Sequence, residues 1–288
     1  MLSETVTQRH PTAVIDPRSR IGRDVSIGPF CVIERDVQIG DGCQLASHVV
    51  VRGRTSIGAR TTVDTGAVIG GRPQHLALHA QPGSLIIGSD NTIRENVTIH
   101  TALQADDATI VGDHNLIMVN VHVAHDCQLG SHTIMANNVM LAGHVSIADY
   151  AYLSGAVGIH QFCRVGAYCM VGGQARVIKD IPPYVTVDGQ STRVCGLNLI
   201  GLRRRGFELS EIKQLKAAYR LIYRQGLTWR EVLEALRRQF PTGPAAAFHE
   251  FFAGGKRGFT LERRTPPDAT VPLYEPASTE PPSLKKFG

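Results

Sequence analysis

The sequence predicts a mainly β chain, a long parallel prism of stacked coils followed by a small α-helical unit and a tail. Three observations predict it. Counting by sixes from Ile15 to Val177 visits 28 positions, and 25 of them are Ile, Leu, Val or Met. The fourth residue after each of these aliphatics is usually small (Thr, Val, Ala or Cys), as in the stretches Ile21 to Ser26 and Ile57 to Thr62. Past Pro182-Pro183 the apolar spacing changes to that of an amphipathic helix.

A six-residue period fits neither the 3.6 of a helix nor the 2.0 of a flat strand, so each unit makes a short strand plus a corner. The residue after the aliphatic is often Gly (Gly22, Gly28, Gly40, Gly58, Gly130, Gly166, Gly172), which tolerates tight corners. Three units per turn give a triangular prism of about nine coils, roughly 4.8 Å apart, in a rod about 45 Å long. Stacking buries a continuous core that no single coil could close. His75, Gln81 and Ala105 break the pattern and mark two insertions, near 70–86 and 100–110, after which the phase resumes. Both are expected to project as loops, where repeat proteins often bind their ligands.

The repeat ends at Asp180-Ile181-Pro182-Pro183, because consecutive prolines cannot donate to a ladder; residues 1–190 are therefore taken as the prism domain. A helical unit is expected over 191–260. Ser210 caps a first helix with Ile212, Leu215, Tyr219 and Ile222 inward and Gly226 after its last turn. Thr228 and Glu231 form the capping box of a second, with Val232, Leu233, Leu236 and Phe240 on one face. A third runs from Ala245 to Phe252. Helices laid on the last coils would shield the end of the array. Residues 261–288, rich in Pro, Ser, Thr, Glu and Lys, read as a disordered tail.

A net charge of +5 suits acidic partners but is too modest to call for nucleic acid, and no RNA-recognition motif or zinc-finger spacing is present. No run of eighteen apolar residues exists, and Met1 to Pro17 lacks the features of a signal peptide. The expectation is a protein without a membrane segment, in the cytoplasm. Of the six cysteines, Cys31, Cys43, Cys127, Cys163 and Cys169 occupy the small inward site, and only Cys195 lies outside the repeat. They read as compact hydrophobes, with no disulfide or metal framework.

Five of the twelve histidines fall within 39 residues of the repeat, and four of them, His122, His125, His144 and His160, carry the argument. With eighteen-residue coils, His144 lies one coil above Asp126, and Gln161 stacks over Gly143, which stacks over His125. That supplies a general base, an orienting carboxylate and a donor for an oxyanion. Two other readings stay open. The residues can be a solvated polar edge, or three histidines can hold zinc across a subunit boundary, as in carbonic anhydrases built on this repeat, with Asp126 and Gln161 around the ligands. The fold alone does not decide, since such prisms host transferases and scaffolds alike.

Particular strings narrow the choice: IRENVTIH ending at His100, HVAHDC from His122 to Cys127, LAGHV from Leu141 to Val145, HQFC from His160 to Cys163, and GLRRRGF from Gly201 to Phe207. With them, from about Thr5 to Gly258, the chain resembles the UDP-N-acetylglucosamine acyltransferases of lipid A biosynthesis. The resemblance implies a left-handed parallel β-helix and a homotrimer with active sites between neighbouring prisms. It implies transfer of a 3-hydroxyacyl chain from acyl carrier protein to the sugar 3-hydroxyl, with acyl carrier protein as co-substrate and neither metal nor cofactor. Carried across, His125 is the general base, Asp126 orients it, and the Gly143 N–H faces the oxyanion. His100, His122, His144, His160, Gln161, Asn198, Arg204 and Arg205 meet the substrates, and Gly173 limits acyl length.

The chain departs from that family in three places. His75-Leu76-Ala77 stands for the usual Asp-Leu-Lys, Thr101-Ala102-Leu103 for Arg-Gly-Thr in a loop one residue shorter, and Ile200 for a glutamate. All three touch acceptor recognition. A paralogue acylating another sugar nucleotide, such as a 3-amino sugar, therefore stays open, as do a coenzyme A-dependent acetyltransferase and a non-catalytic scaffold.

Overall fold

The computed structural model describes residues 7–76 and 81–263; Ala77 and the stretch 264–288 of the expected tail lie outside the described residues. The chain winds a triangular prism whose strands stack in parallel register on three faces. Face one runs from Gln8–Arg9 to Val185–Val187 and ends in an antiparallel strand, Val194–Leu197. Face two runs from Val14–Ile15 to Arg176–Val177, and face three from Arg20–Ile21 to Arg164–Val165. Most strands are two residues long, the first outward and the second buried, as Gln44–Leu45 illustrates. Stacked partners are 18 residues apart, as in Gln8↔Ser26. The two insertions lengthen single coils to 30 and 24 residues, in Thr62↔Thr92 and Thr92↔Leu116. The flanking strands extend beyond the prism, to Gly71 and from Ser84, and to His100 and from Ala108, so the loops proper are shorter than the sequence suggests.

The corners are built differently from the expectation. The third residue after the aliphatic turns the chain in the left-handed region, and it is commonly Asp, Asn, His or Tyr: Asp24, Asn96, Asn120, Asp126, His144, Tyr150. Short polar side chains tolerate that conformation better than most. The glycine after the aliphatic serves close stacking instead. A Cβ on Gly28 would lie 2.8 Å from the Ala46 carbonyl carbon of the next coil.

The five repeat cysteines are fully buried and all six are free thiols. Each repeat thiol faces a backbone carbonyl of the next coil, as Cys31 does at Ala46 O, 2.8 Å away, and Cys43 at Gly58 O, 3.0 Å away. Burial raises the pKa of all five, that of Cys127 and Cys169 to about 12.

Past the prism come four helices, α1 (Leu199–Arg204), α2 (Leu209–Arg224), α3 (Trp229–Gln239) and α4 (Ala246–Ala253). α1 is an addition to the three helices expected. α2 starts one residue before Ser210: the cap is Glu208, whose N–H donates to the Glu211 carboxylate at 2.8 Å. Thr228 and Glu231 form the capping box of α3 as the spacing predicts. Leu215, Leu236 and Phe248 close the helical core, while Tyr219 packs with the prism. The chain then folds back, with Phe259 bridged to Asp180 and Glu262 to Val194. Residues 261–263 thus belong to the folded body, not to the tail.

Candidate active site

The strand His122–Val123 lies on face two, and the chain turns the next edge through Ala124, His125 and Asp126 before it enters face three at Gln128–Leu129. The left-handed backbone of Asp126 (φ 62°) brings its carboxylate back beneath the His125 ring. His125 Nδ1 donates to Asp126 Oδ2 at 2.6 Å, and both side chains are nine-tenths buried. One coil on, Gly143 lies over the imidazole: a Cβ there would come within 2.6 Å of His125 Cε1 and 2.8 Å of Nε2. Only glycine leaves Nε2 room for a reacting group. The same approach puts the Gly143 backbone beside the space that Nε2 faces.

His144, also left-handed, stacks on Phe162 and holds Nε2 3.6 Å from Asp126 Oδ2. The second loop supplies what sequence reading missed. The Leu103 N–H donates to both Asp126 carboxylate oxygens at 3.3 Å, and the Asp126 N–H donates to the buried Thr109 hydroxyl at 2.8 Å. A backbone donor has no signature in the sequence, and Thr109 reads there as one more residue of a strand. The loop is itself pinned: Gly83 N donates to Ala102 O at 2.8 Å, and Arg54 donates to Ala105 O at 2.8 Å.

The other predicted residues divide. His122, His160 and Gln161 line an open cleft of about 530 Å³ with His125 and Gly143, closed on one side by Gln74 and His75 of the first loop. His75 sets its ring edge-on to His125, 5.6 Å between centroids. His122 is tethered through Nδ1 to Thr98 Oγ1 at 2.7 Å, and burial lowers its pKa. His100 does not line the cleft. It is 6% exposed, packs behind His122 with its Nδ1 unpartnered, and burial, then the charges of His122 and His125, lower its pKa to about 4. The strand register shifts here, pairing Gly71 with His100, and that bulge turns the ring inward. Gly173 is exposed on the edge between faces one and two, where a Cβ would stand 3.3 Å from Gly155 O.

Asn198, Arg204 and Arg205 line a different cavity, about 840 Å³, over face one. Asn198 is largely committed to structure: its Oδ1 accepts from Gly201 N at 3.1 Å as the cap of α1, and its Nδ2 donates to Tyr168 O at 2.9 Å. Arg205 covers the Tyr150 ring at 4.8 Å, within a ladder that stacks His132, Tyr150 and Tyr168. Ile200, two-thirds exposed, lines this cavity too. On one chain, then, the histidine cleft and the arginine cavity occupy different faces.

His125, Asp126 and His144 each offer one ligand atom, all within 4.8 Å of one another, the only such group among the described residues. It differs from the zinc reading, which needs three histidines. A cation there would also displace the proton that His125 shares with Asp126.

A coiled prism of six-residue units with a histidine–aspartate pair at one edge is, as a class, a transferase of the hexapeptide-repeat kind, and residues 18–53 and 108–143 match the family described as bacterial transferase hexapeptide (six repeats). Residues 180–260 match domain 2 of UDP N-acetylglucosamine O-acyltransferase. The acyl-[acyl-carrier-protein]–UDP-N-acetylglucosamine O-acyltransferase of Halorhodospira halophila is 43% identical over 255 residues, 88% of this chain and 99% of its own. That of Verminephrobacter eiseniae is 44% identical over 83% of this chain and 91% of its own. Among solved structures, LpxA of Acinetobacter baumannii superposes with a TM-score of 0.84 at 41% identity, covering 87% of this chain and 98% of its own. LpxA of Bacteroides fragilis, also a UDP-N-acetylglucosamine acyltransferase, gives 0.85 at 40% identity over 88% and 99%. The chain belongs to this acyltransferase family, and its prism is a left-handed parallel β-helix.

Proposed function

We propose that the chain transfers a 3-hydroxyacyl group from acyl carrier protein to the 3-hydroxyl of UDP-N-acetylglucosamine, the opening acylation of lipid A synthesis, at the His125 cleft. The observation that carries the reading is the pair itself: Asp126 fixes the His125 proton on Nδ1, so Nε2 is presented as a base beneath the Gly143 backbone. His125 Nε2 takes the proton of the sugar hydroxyl as its oxygen attacks the thioester carbonyl, and Asp126 stabilises the imidazolium that forms. The oxyanion of the tetrahedral intermediate meets the Gly143 N–H, a kind of donor worth about 3–4 kcal/mol in comparable sites. The carbon–sulfur bond then breaks and the leaving thiolate takes the proton back from His125. The exchange of a thioester for an ester needs no redox group or metal.

In this reading His122, His144, His160 and Gln161 hold the sugar nucleotide and the thioester, and His100 stiffens His122 from behind. Asn198, Arg204 and Arg205 serve a substrate that spans two chains. The outward rows support a homotrimer. Face one presents Leu116, Ile134, Tyr152 and Met170 in succession, and face two Val32, Val50 and Val68, with Met140 beyond Thr98 and His122, whereas on face three Gln38 and Ser56, Gln128 and Ser146 flank Ile86 and Ile110. The unbroken apolar runs, Leu116 to Met170 on face one and Val32 to Val68 on face two, are of the kind that marks contact surfaces. Packing face one of one prism against face two of the next would bring the arginine cavity to the histidine cleft. Gly173, without a side chain, would leave room for a long acyl chain, and the cytoplasm, where acyl carrier protein and nucleotide sugars meet, is the expected location.

The test is turnover by purified protein of a panel of 3-hydroxyacyl carrier proteins with UDP-N-acetylglucosamine and its 3-amino analogue, followed by mass spectrometry. The expected result is ester product, with kcat lowered about 10²–10⁴-fold in His125→Ala. Amide product from the analogue alone would establish the altered acceptor that His75, Thr101 to Leu103 and Ile200 leave open.

A further inference from the structure

At the last coil of face two, next to the transfer cleft, lies a second cavity of about 350 Å³. Arg176, Lys179 and Arg193 line it, and no carboxylate does. Arg176 and Ile178 line both this cavity and the histidine cleft, so the two spaces adjoin. Among the described residues none of the three cations has an ion-pair partner, because the nearby acids are engaged elsewhere. Asp180 is paired with Arg164 at 2.8 Å, Asp188 accepts from Ser191 and faces Arg263, and Glu262 is paired with Arg224 at 2.8 Å. A fourth cation stands beside them: Arg257 donates to Ile178 O at 3.4 Å, and its buried Nε has no partner. Cations gathered around one cavity with no acid to neutralise them are built for an anion, and guanidinium groups suit the oxygens of a phosphate ester.

The register sets the distance. His122, Met140, Gly158 and Arg176 stack one above another on face two. Arg176 therefore lies three coils from the level of His125, about 14 Å at 4.7–4.9 Å per coil. A pantetheine arm has a backbone comparable to about four extended peptide units, roughly 14 Å from its sulfur to its phosphate at 3.3–3.6 Å per unit. The diphosphate of a sugar nucleotide is only a sugar ring away from the hydroxyl being acylated, about one coil, and falls short of the cavity.

We propose that Arg176, Lys179 and Arg193 form a phosphate-ester site for the acyl donor, holding the phosphodiester of the carrier's pantetheine arm while the thioester lies at His125. The proposal rests on the acyl-transfer reading above. It assigns to this end of the prism a role in measuring the donor arm, distinct from the chemistry at His125 and from the arginines over face one.

The experiment compares two small donors, 3-hydroxyacyl-phosphopantetheine and 3-hydroxyacyl-pantetheine, in the full-length protein and in the triple variant Arg176→Gln/Lys179→Gln/Arg193→Gln. All three side chains are exposed, and circular dichroism checks that the variant folds. The wild type is expected to show a KM about tenfold lower for the phosphorylated donor, the scale of one charge-assisted contact. The variant should lose that preference with kcat and the KM for the sugar nucleotide unchanged. A preference retained in the variant overturns the proposal, and so does a rise confined to the KM of the sugar nucleotide, which would make the nucleotide the source of the anion. Calorimetric titration with phosphopantetheine and with pantetheine reads the same site without turnover. Tighter binding of the phosphorylated compound that the variant loses supports the site even if acyl transfer fails, whereas transfer without any preference for phosphate overturns the site and leaves the transferase reading standing.

Discussion

Asp126 is held from three directions, and only one of its partners, the His125 ring, is its neighbour in the chain. Leu103 N–H reaches its carboxylate from the second loop, and Thr109 accepts its backbone N–H from inside the prism. Thr109→Val keeps the shape and removes that acceptor, leaving a buried donor unmet, a loss of about 1–3 kcal/mol. The expected outcome is a kcat lowered about tenfold or more at unchanged KM, restored by Thr109→Ser; steady-state kinetics of the two variants decides. His100 gives a second prediction. Its folded pKa of about 4 lies below the ordinary value of 6.5, so between those values the unfolded chain binds the extra proton. The stability this neutral ring contributes is complete above pH 6.5, is lost as the pH falls toward 4, and amounts to about 3 kcal/mol at most. Thermal unfolding followed from pH 7 to pH 4 is expected to show a steeper decline in the wild type than in His100→Gln.

The elements differ in how far they can be read from the chain. The strands, the coil length and the inward cysteines were legible because each coil repeats the same local constraint, and the stacking of Gly143 over His125 follows from counting eighteens. α1 was not, since six residues with Gly201 among them display no apolar period. The return of Phe259 and Glu262 to the prism was equally hidden, because pairing between Val194 and Glu262 leaves no local pattern. Of the site, the histidines were legible and the loop clamp was not: Arg54 meets the Ala105 carbonyl from 51 residues away. Arg54→Ala is expected to raise amide exchange over residues 101–107 while the prism amides stay protected, with kcat several-fold lower. Hydrogen-exchange mass spectrometry beside turnover checks both halves, and unchanged exchange would remove Arg54 from the clamp.

At the scale of the molecule, the histidine cleft and the arginine cavity lie on different faces of one prism, so a trimer of the kind proposed builds every site from two chains. Mixing His125→Ala protein with Arg204→Ala protein after dissociation and reassembly is expected to restore part of the activity, because some interfaces then pair an intact cleft with an intact arginine face. Sedimentation of each protein confirms the assembly, and no recovery in mixed trimers would place the whole site on one chain. The winding of the prism has a chemical consequence as well. Five thiols sit inside the coils with their protons held by burial, and Cys195 alone is exposed. Thiol oxidation needs an accessible thiolate, so a chain with six sulfhydryls meets peroxide as though it had one, and its other five thiols become vulnerable only where the coils unwind.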